Sequence, residues 1–344
     1  MTSSKASTKD KRDAVIVSCV RTPLCRASKG GLAKVPPSTL LSTAITGCLD
    51  RVPGVAPGDV QDVCVGNVLQ GQAGAVMARM AQLTVMPHTV PISVVNRQCS
   101  SGLQAFMNIA SAIRSGDIDI GLACGVESMS FNPMHKAASG LPDVDWMKMQ
   151  ESPEAMDCLI SMGITSENVT KAHNLQRSDL DEFAALSHKK AGLAQAEGRF
   201  EKEIVPVGNV CKDDGIRHGT TAQKLSKLKP VFKKNGSTTA GNSSQMTDGA
   251  AAVLVMSRAE AERRNLPIMG VLRSFAVCGV PPNVMGIGPA VAIPEALKLA
   301  EVSISDIDVY EINEAFASQA RWCVSKLKID KNRVNPLGGA IALG

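Results

Sequence analysis

The sequence predicts an α/β protein built on a largely parallel sheet. Short runs of branched and apolar residues recur at 13–19, 60–65, 90–95 and 118–124. Between them, 38–49, 74–85 and 101–114 carry apolar residues at helical spacing, as at Leu103, Phe106, Met107 and Ala110. Strands that alternate with helices make βαβ units, whose crossovers lay strands side by side in parallel. A third observation is an internal echo. Gly58-Asp59-Val60-Gln61-Asp62-Val63 is similar in pattern to Ser305-Asp306-Ile307-Asp308-Val309, and each is followed by a helix and a Val-Asn pair, Val95-Asn96 and Val334-Asn335. Two copies of one unit are the simplest reading.

The elements follow in order. Segment 38–49 ends at the Pro- and Gly-rich stretch 53–58, which breaks a helix. Segment 90–95 runs straight into Cys99, and 101–114 follows as a helix. From 128 to 241 the chain turns polar and Met-rich, with one clear helix at 178–197; this reads as an excursion from the sheet. Strands resume at 249–256, 270–278 and 307–311, with a helix at 294–301. The expected division is a disordered leader at 1–12, a first half at 13–258 that includes the excursion, and a second half at 265–344. The second copy stops soon after its Val-Asn pair. That would leave an open apolar edge, so the chain is expected to be incomplete or to rely on a partner.

Composition narrows the function classes. The chain has 344 residues, enough for a sizeable core, with 44% hydrophobic and 20% charged residues. Its longest apolar run is 250–256, far short of the ~20 residues needed to span a membrane. Aromatic residues are 3% and there is one Tyr, so nothing supports base stacking on nucleic acid. The net charge is +5, and the one basic cluster is Lys224, Lys227, Lys229, Lys233 and Lys234. It reads either as a solvated face or as a site for a phosphorylated ligand. Ten cysteines are scattered without a Cys-x-x-Cys pair or zinc-ligand spacing, so no metal is expected. No Gly-x-Gly-x-x-Gly follows the first strand, which removes the dinucleotide dehydrogenases.

Cys99 stands apart from the other thiols. It lies between a strand end and a helix start, where free N–H groups and the helix dipole favour an anion. Ser100-Ser101-Gly102 supplies small residues where a substrate must approach the backbone. A strong nucleophile also wants a basic partner, usually His.

Four motifs, in order along the chain, extend this reading. They are Val95 to Ala105 around Cys99, Thr239 to Ala251, Asn313-Glu314-Ala315-Phe316-Ala317, and Asn335 to Gly344. Together they resemble the thiolase family. Met162-Gly163-Ile164-Thr165-Ser166-Glu167-Asn168 and the stretch Gly279 to Pro289 are most similar to its eukaryotic peroxisomal 3-ketoacyl-CoA members. The resemblance implies the thiolase fold: duplicated βαβαβαββ halves in a layered α-β-α-β-α arrangement, with the second half incomplete here. It implies an acyltransferase that cleaves 3-ketoacyl-CoA through a cysteine thioester in fatty-acid β-oxidation. Coenzyme A would be a co-substrate, with no resident cofactor, and the protein a homodimer or a dimer with a complete homologue. It also implies roles. Cys99 would carry the acyl group and Asn313 would hold a water in an oxyanion site. Met285 and Phe316 would wall the acyl and pantetheine channel, Met162 would lie over the active site, Ser244 would contact pantetheine, and Arg217 the nucleotide.

The sequence departs from the family in three places. The family's His-Pro pair would follow Gly344, and its Cys-x-Gly motif would come later still. His88, His135, His173, His188 and His218 lie in no matching motif and read as surface or packing residues. Between Val210 and Arg217 a peripheral hairpin is expected to be missing. The alternative reading is therefore an impaired thiolase-like subunit that binds acyl-CoA or dimerises, with thiolysis slowed by orders of magnitude. A condensing enzyme of the same superfamily is a weaker third. By family analogy the compartment is the peroxisome, with the cytosol as alternative, since no import motif is visible at either end.

Overall fold

In a computed structural model, the described residues are 9–134 and 144–344. One seven-stranded sheet draws six strands from residues 14–257 and a seventh from just beyond them. Its strands are β1 (Ala14–Arg21), β2 (Cys25–Arg26), β3 (Asp62–Gly66), β4 (Ile92–Val95), β5 (Ile120–Ser128), β6 (Thr247–Ser257) and β7 (Gly270–Val271). The order is β4-β3-β5-β6-β1-β7, with the short β2 also pairing β6. β3 runs parallel to β4 and to β5, as the βαβ reading expects. β6 runs antiparallel to both β5 and β1, so the sheet is mixed rather than largely parallel. The reason is the excursion. It returns the chain along β5 without a crossover helix, and no right-handed βαβ connection constrains β6.

Alternation along the strands divides the core. Val63 and Val65 face one side with α1 (Pro37–Asp50) and α2 (Ala75–Leu83); there Leu40, Leu41, Ala44, Ile45 and Cys48 form one buried helical stripe. Cys64, Ala123 and Val255 face the other side, against Ala105, Ile109, Ala110 and Ile113 of α3 (Ser101–Ser115). Leu103, on the same helix, is 67% exposed and takes no part in this core.

The excursion is helical at α4 (Met162–Ala172) and α5 (Arg177–Ala196). Beyond the sheet come α6 (Gly288–Leu299) and α7 (Ala317–Lys326). The echo has a structural counterpart. Each copy opens on a short 3-10 turn, Pro57–Asp59 and Ile304–Asp306, closed by the Asp carboxylate on a backbone N–H: Asp59 on Ala56 at 3.0 Å and Asp306 on Ser303 at 2.8 Å. Tyr310 bridges Val334 in parallel, as β3 bridges β4.

Two strand expectations are corrected. Of 270–278, only Gly270–Val271 enters the ladder, against Ile16 and Val15. Of 307–311, only Tyr310 bridges. Apolar alternation favours extended backbone, but a ladder also needs a neighbour at the right register, and among the described residues these segments have one or two such positions. The helix expected at 294–301 is α6, which begins six residues earlier and keeps Pro294 inside it. Arg12, placed in the expected leader, is tied to Asp119 at 2.6 Å and to the Ile118 carbonyl at 2.8 Å. Among the described residues no helix is long and apolar enough to cross a membrane.

One contact governs where the β4–α3 turn sits. A Cβ added to Gly66, the last residue of β3, would strike the Ser101 backbone and lie 2.5 Å from the Gly102 nitrogen. Gly66→Ala should therefore destabilise the protein by about 1–3 kcal/mol, read by urea unfolding. A neutral result would show that the helix start has room to move.

Candidate active site

Cys99 sits at the tip of this turn. Strand β4 ends at Val95, and Gln98 adopts a left-handed φ of 48°. That conformation is uncommon outside glycine and needs support from its surroundings. Support comes from a local net. The Arg97 N–H donates to Ser101 Oγ at 2.9 Å, and Ser101 Oγ donates to the Gln98 carbonyl at 2.6 Å. The Gln98 N–H donates to Asn96 Oδ1 at 2.9 Å, while Asn96 Nδ2 reaches the Val68 carbonyl at 3.2 Å. The turn is thus fixed on both sides of Cys99, whose thiol is exposed.

The other thiols differ. Burial pushes Cys25 up to about 12 and Cys48 and Cys323 up to about 11. Cys124, buried in β5, is raised well above the ordinary thiol range by the same cause. A thiol held protonated by burial is a poor nucleophile. Only Cys158 and Cys211 share the exposure of Cys99, and neither lies on a comparable strand–helix turn.

The remaining expected site residues gather around the turn 242–244. The Ser244 N–H donates to the Ala315 carbonyl at 2.9 Å, the Ala317 N–H donates to the Asn242 carbonyl at 2.9 Å, and Ser243 bridges Phe316. Phe316 meets Phe232 edge to face with centroids 6.2 Å apart. Phe232 in turn lies over Gly163, next to Met162 at the start of α4; a Cβ at Gly163 would strike the ring. Met285 is on a segment held to α4 by Asn168 Nδ2 on the Asn283 carbonyl at 2.9 Å, and its side chain is exposed. Asn313 is exposed as well. Cys99 and Asn313 are therefore presented by separate frames, the sheet for one and the 242–244 turn for the other.

Glu314 anchors the second frame. It is 2% exposed, and each carboxylate oxygen accepts from named donors. Ser187 Oγ donates to Oε2 at 2.6 Å, the Ile341 N–H to Oε2 at 3.2 Å, and Asn335 Nδ2 to Oε1 at 2.8 Å. Asn335 also accepts from the Ile312 N–H at 2.8 Å and donates to the Ile312 carbonyl at 2.9 Å. Burial raises the Glu314 carboxyl, and these donors oppose the shift. A cavity of about 500 Å³ opens behind it, lined by Ser187, Lys190 and Arg321 among others.

Arg217 is exposed beside a second cavity of about 580 Å³, which His188, Lys189 and His218 help line. Its backbone N–H donates to His188 Nδ1 at 3.2 Å. His188, expected to be a plain packing residue, is therefore part of the arginine's mounting. Its position on the buried face of α5, four residues after Ala184, was the available signal. His135 lies outside the described residues. Among the described residues no three His, Cys, Asp or Glu converge as a metal site.

An exposed cysteine on a strand–helix turn, mounted on an α/β sheet, is the arrangement of acyl-transfer enzymes that work through a thioester. Residues 14–259 match the model described as "Thiolase, N-terminal domain" and 266–344 the one described as "Thiolase, C-terminal domain". The chain belongs to the thiolase family. It is 54% identical to human "3-ketoacyl-CoA thiolase, peroxisomal", over 96% of this chain and 80% of that protein. Among solved structures it is similar to the dimeric peroxisomal thiolase of Saccharomyces cerevisiae, with a TM-score of 0.91, 44% identity, and coverage of 98% of this chain and 88% of that one. A second crystal structure of the yeast enzyme is described as five-layered and built from two core domains of identical topology. Human mitochondrial 3-ketoacyl-CoA thiolase in complex with CoA aligns at a TM-score of 0.85 and 33% identity, over 97% of this chain and 87% of that one.

The His188 mounting has a pH signature. Burial first, then the Arg217 and His218 charges, lowers its imidazole to about 4, whereas the unfolded chain protonates it near ~6.5. The folded state resists the proton that the unfolded chain accepts. Stability should therefore hold above ~6.5 and fall as pH drops toward about 4, with no further loss from this group below. His188→Asn should remove that part of the slope in urea unfolding measured across the range; an unchanged slope would count against it.

Proposed function

We infer that this protein is an acetyl-CoA C-acyltransferase that cleaves 3-ketoacyl-CoA with coenzyme A, giving acetyl-CoA and a shortened acyl-CoA, in peroxisomal fatty-acid β-oxidation. The observation that carries the chemistry is the exposed Cys99 on a hydrogen-bonded turn, in a chain whose core thiols are held protonated by burial. The Cys99 sulfur attacks the keto carbon, and its proton is given up. The bond between the keto carbon and the neighbouring carbon breaks, and that carbon takes a proton as acetyl-CoA leaves. The acyl group is now a thioester on Cys99. The thiol of free coenzyme A attacks the same carbonyl and loses its proton, the bond from carbon to the Cys99 sulfur breaks, and that sulfur takes up a proton to restore the thiol. Both steps pass through an oxyanion, for which each preorganised donor is worth ~10²–10³ in rate. The Cys99 N–H and a water held by Asn313 fill that role in this reading. Phe316 and Met285 wall the channel, Met162 lies over the active site, Ser244 meets pantetheine, and Arg217 with the nearby lysines meets the phosphorylated nucleotide. Coenzyme A is thus a substrate, with no resident cofactor. Residues 13–258 and 265–344 form the two halves. No observation favours the alternative of an impaired subunit.

The homodimer reading has a surface to match. β4 is a sheet edge whose outer N–H and C=O groups are unpaired among the described residues. Beside it, Val76, Met80 and Leu83 form an exposed stripe at helical spacing on α2, and Leu103 is exposed on α3 at the other face of the sheet. An exposed apolar patch against an open edge suits a second copy of the chain.

Two measurements test these readings. After incubation with acetyl-CoA, mass spectrometry of native digests should place one acetyl group on the Cys99 peptide and none in Cys99→Ser; label confined to Cys158 or Cys211 would overturn the assignment. Met80→Lys should shift the protein from dimer to monomer in sedimentation, while an unshifted dimer would place the joint elsewhere.

A further inference from the structure

The two residues read as binding coenzyme A, Ser244 and Arg217, stand on separate segments. One side chain joins those segments. Gln245, next to Ser244, places Nε2 2.9 Å from the Gly215 carbonyl, 3.0 Å from the Ala342 carbonyl and 3.5 Å from the Ile341 carbonyl. These three acceptors fix the amide's orientation. Turned over, Oε1 would face carbonyl oxygens and gain no donor. In the orientation that satisfies Nε2, Oε1 is buried without a hydrogen-bond partner. An unpaired buried acceptor costs stability, so this amide is not explained by its worth to the local fold alone.

The approach is also close. A Cβ on Gly215 would lie 2.6 Å from Gln245 Nε2 and 2.9 Å from the Ala342 oxygen. Gly215 is two residues before Arg217, and the Arg217 N–H is held in turn by His188 Nδ1. The segment 215–217 is thus pinned at both ends by side chains from elsewhere, one of which grows out of the turn that carries Ser244.

We propose that Gln245 is a positioning residue for coenzyme A: it locks the nucleotide arm carrying Arg217 to the pantetheine turn carrying Ser244, so that one extended ligand meets both at a preset span. The proposal rests on the reading of Ser244 and Arg217 given above. A binding site set before the ligand arrives avoids the ordering cost of fixing a loop on binding. Without the Gln245 link, Arg217 would still carry its charge, but it would have to be placed by the ligand.

The test uses calorimetric titration of the full chain with coenzyme A and with 4′-phosphopantetheine, which lacks the nucleotide. In Gln245→Ala, coenzyme A should weaken about tenfold, as expected for the loss of one or two hydrogen bonds. 4′-Phosphopantetheine should change far less, so the preference for coenzyme A moves toward that of Arg217→Ala. The double variant should be no weaker than Arg217→Ala alone, since the two act as a unit. Gln245→Met, which fills similar volume without a donor, should behave like Gln245→Ala, and thermal unfolding reports whether either folds. Equal weakening of both ligands would overturn the proposal, because Gln245 would then serve only its own turn. Unchanged coenzyme A affinity would overturn it too. If Arg217→Ala itself leaves the preference intact, the reading of Arg217 fails and the proposal falls with it.

Discussion

Several loops of this chain are held by a buried carboxylate that takes over the work of a ladder. Backbone N–H groups taken out of water must find partners, and the stretch after α5 has little regular structure to supply them. Glu167 on α4 accepts the Ser237 and Thr238 N–H groups and the Ser237 hydroxyl. Asp213 accepts the Leu24 N–H and both terminal nitrogens of Arg21. Asp248 accepts from Ser128 and from the Ser130 N–H and hydroxyl. Glu314 does the same for the Asn313 loop. Each ties a loop to a helix or strand that is already rigid. The Asn313 loop is one of these, so its geometry depends on the buried Glu314 carboxylate.

This dependence explains a division of labour. Cys99 rides on the sheet, where Gly66 lets β3 press against the start of α3 and short-range hydrogen bonds hold Gln98 in its left-handed conformation. Ser244 and Arg217 ride on loops, where a span can be set by one side chain. A charged ligand with a long flexible arm suits this arrangement. The reacting end needs a fixed point, and the distant end needs a fixed distance.

Much of this was legible in the sequence, and what was not has a physical reason. The strands of the first half and α1, α3 and α5 follow from local periodicity, because each buries a face that the pattern reveals. The antiparallel setting of β6 does not, since it depends on a pairing across the whole excursion. Leu103 keeps the helical spacing of a core residue yet faces outward, because spacing does not say which apolar face is covered within one chain. Residue by residue, Cys99 was one thiol in ten; its motif and, in the fold, its exposure separate it from the rest. His188 lies in no motif, and Gln245, though inside the motif 239–251, carried no role there. Their roles are hydrogen bonds to backbone groups of Arg217 and Gly215, and backbone acceptors and donors leave no trace in residue type.

The lysine cluster can now be read against its surroundings. No acidic residue occurs between Gly215 and Thr247, a stretch that holds Arg217 and all five lysines. Lys224 spends its amine on the Gly219 carbonyl at 2.7 Å, while Lys227, Lys229, Lys233 and Lys234 are exposed and enter no ion pair among the described residues. An isolated surface charge is screened within roughly 8 Å at physiological salt. Several like charges on one segment, without a compensating carboxylate, sum to a local field that raises the concentration of an anionic ligand. The same segment repels itself, which favours an open loop unless it is held. It is held at Gly215 by Gln245, at Arg217 by His188, and at Ser237 and Thr238 by Glu167. The basic segment is therefore strongly charged and yet held in one shape by its fastenings.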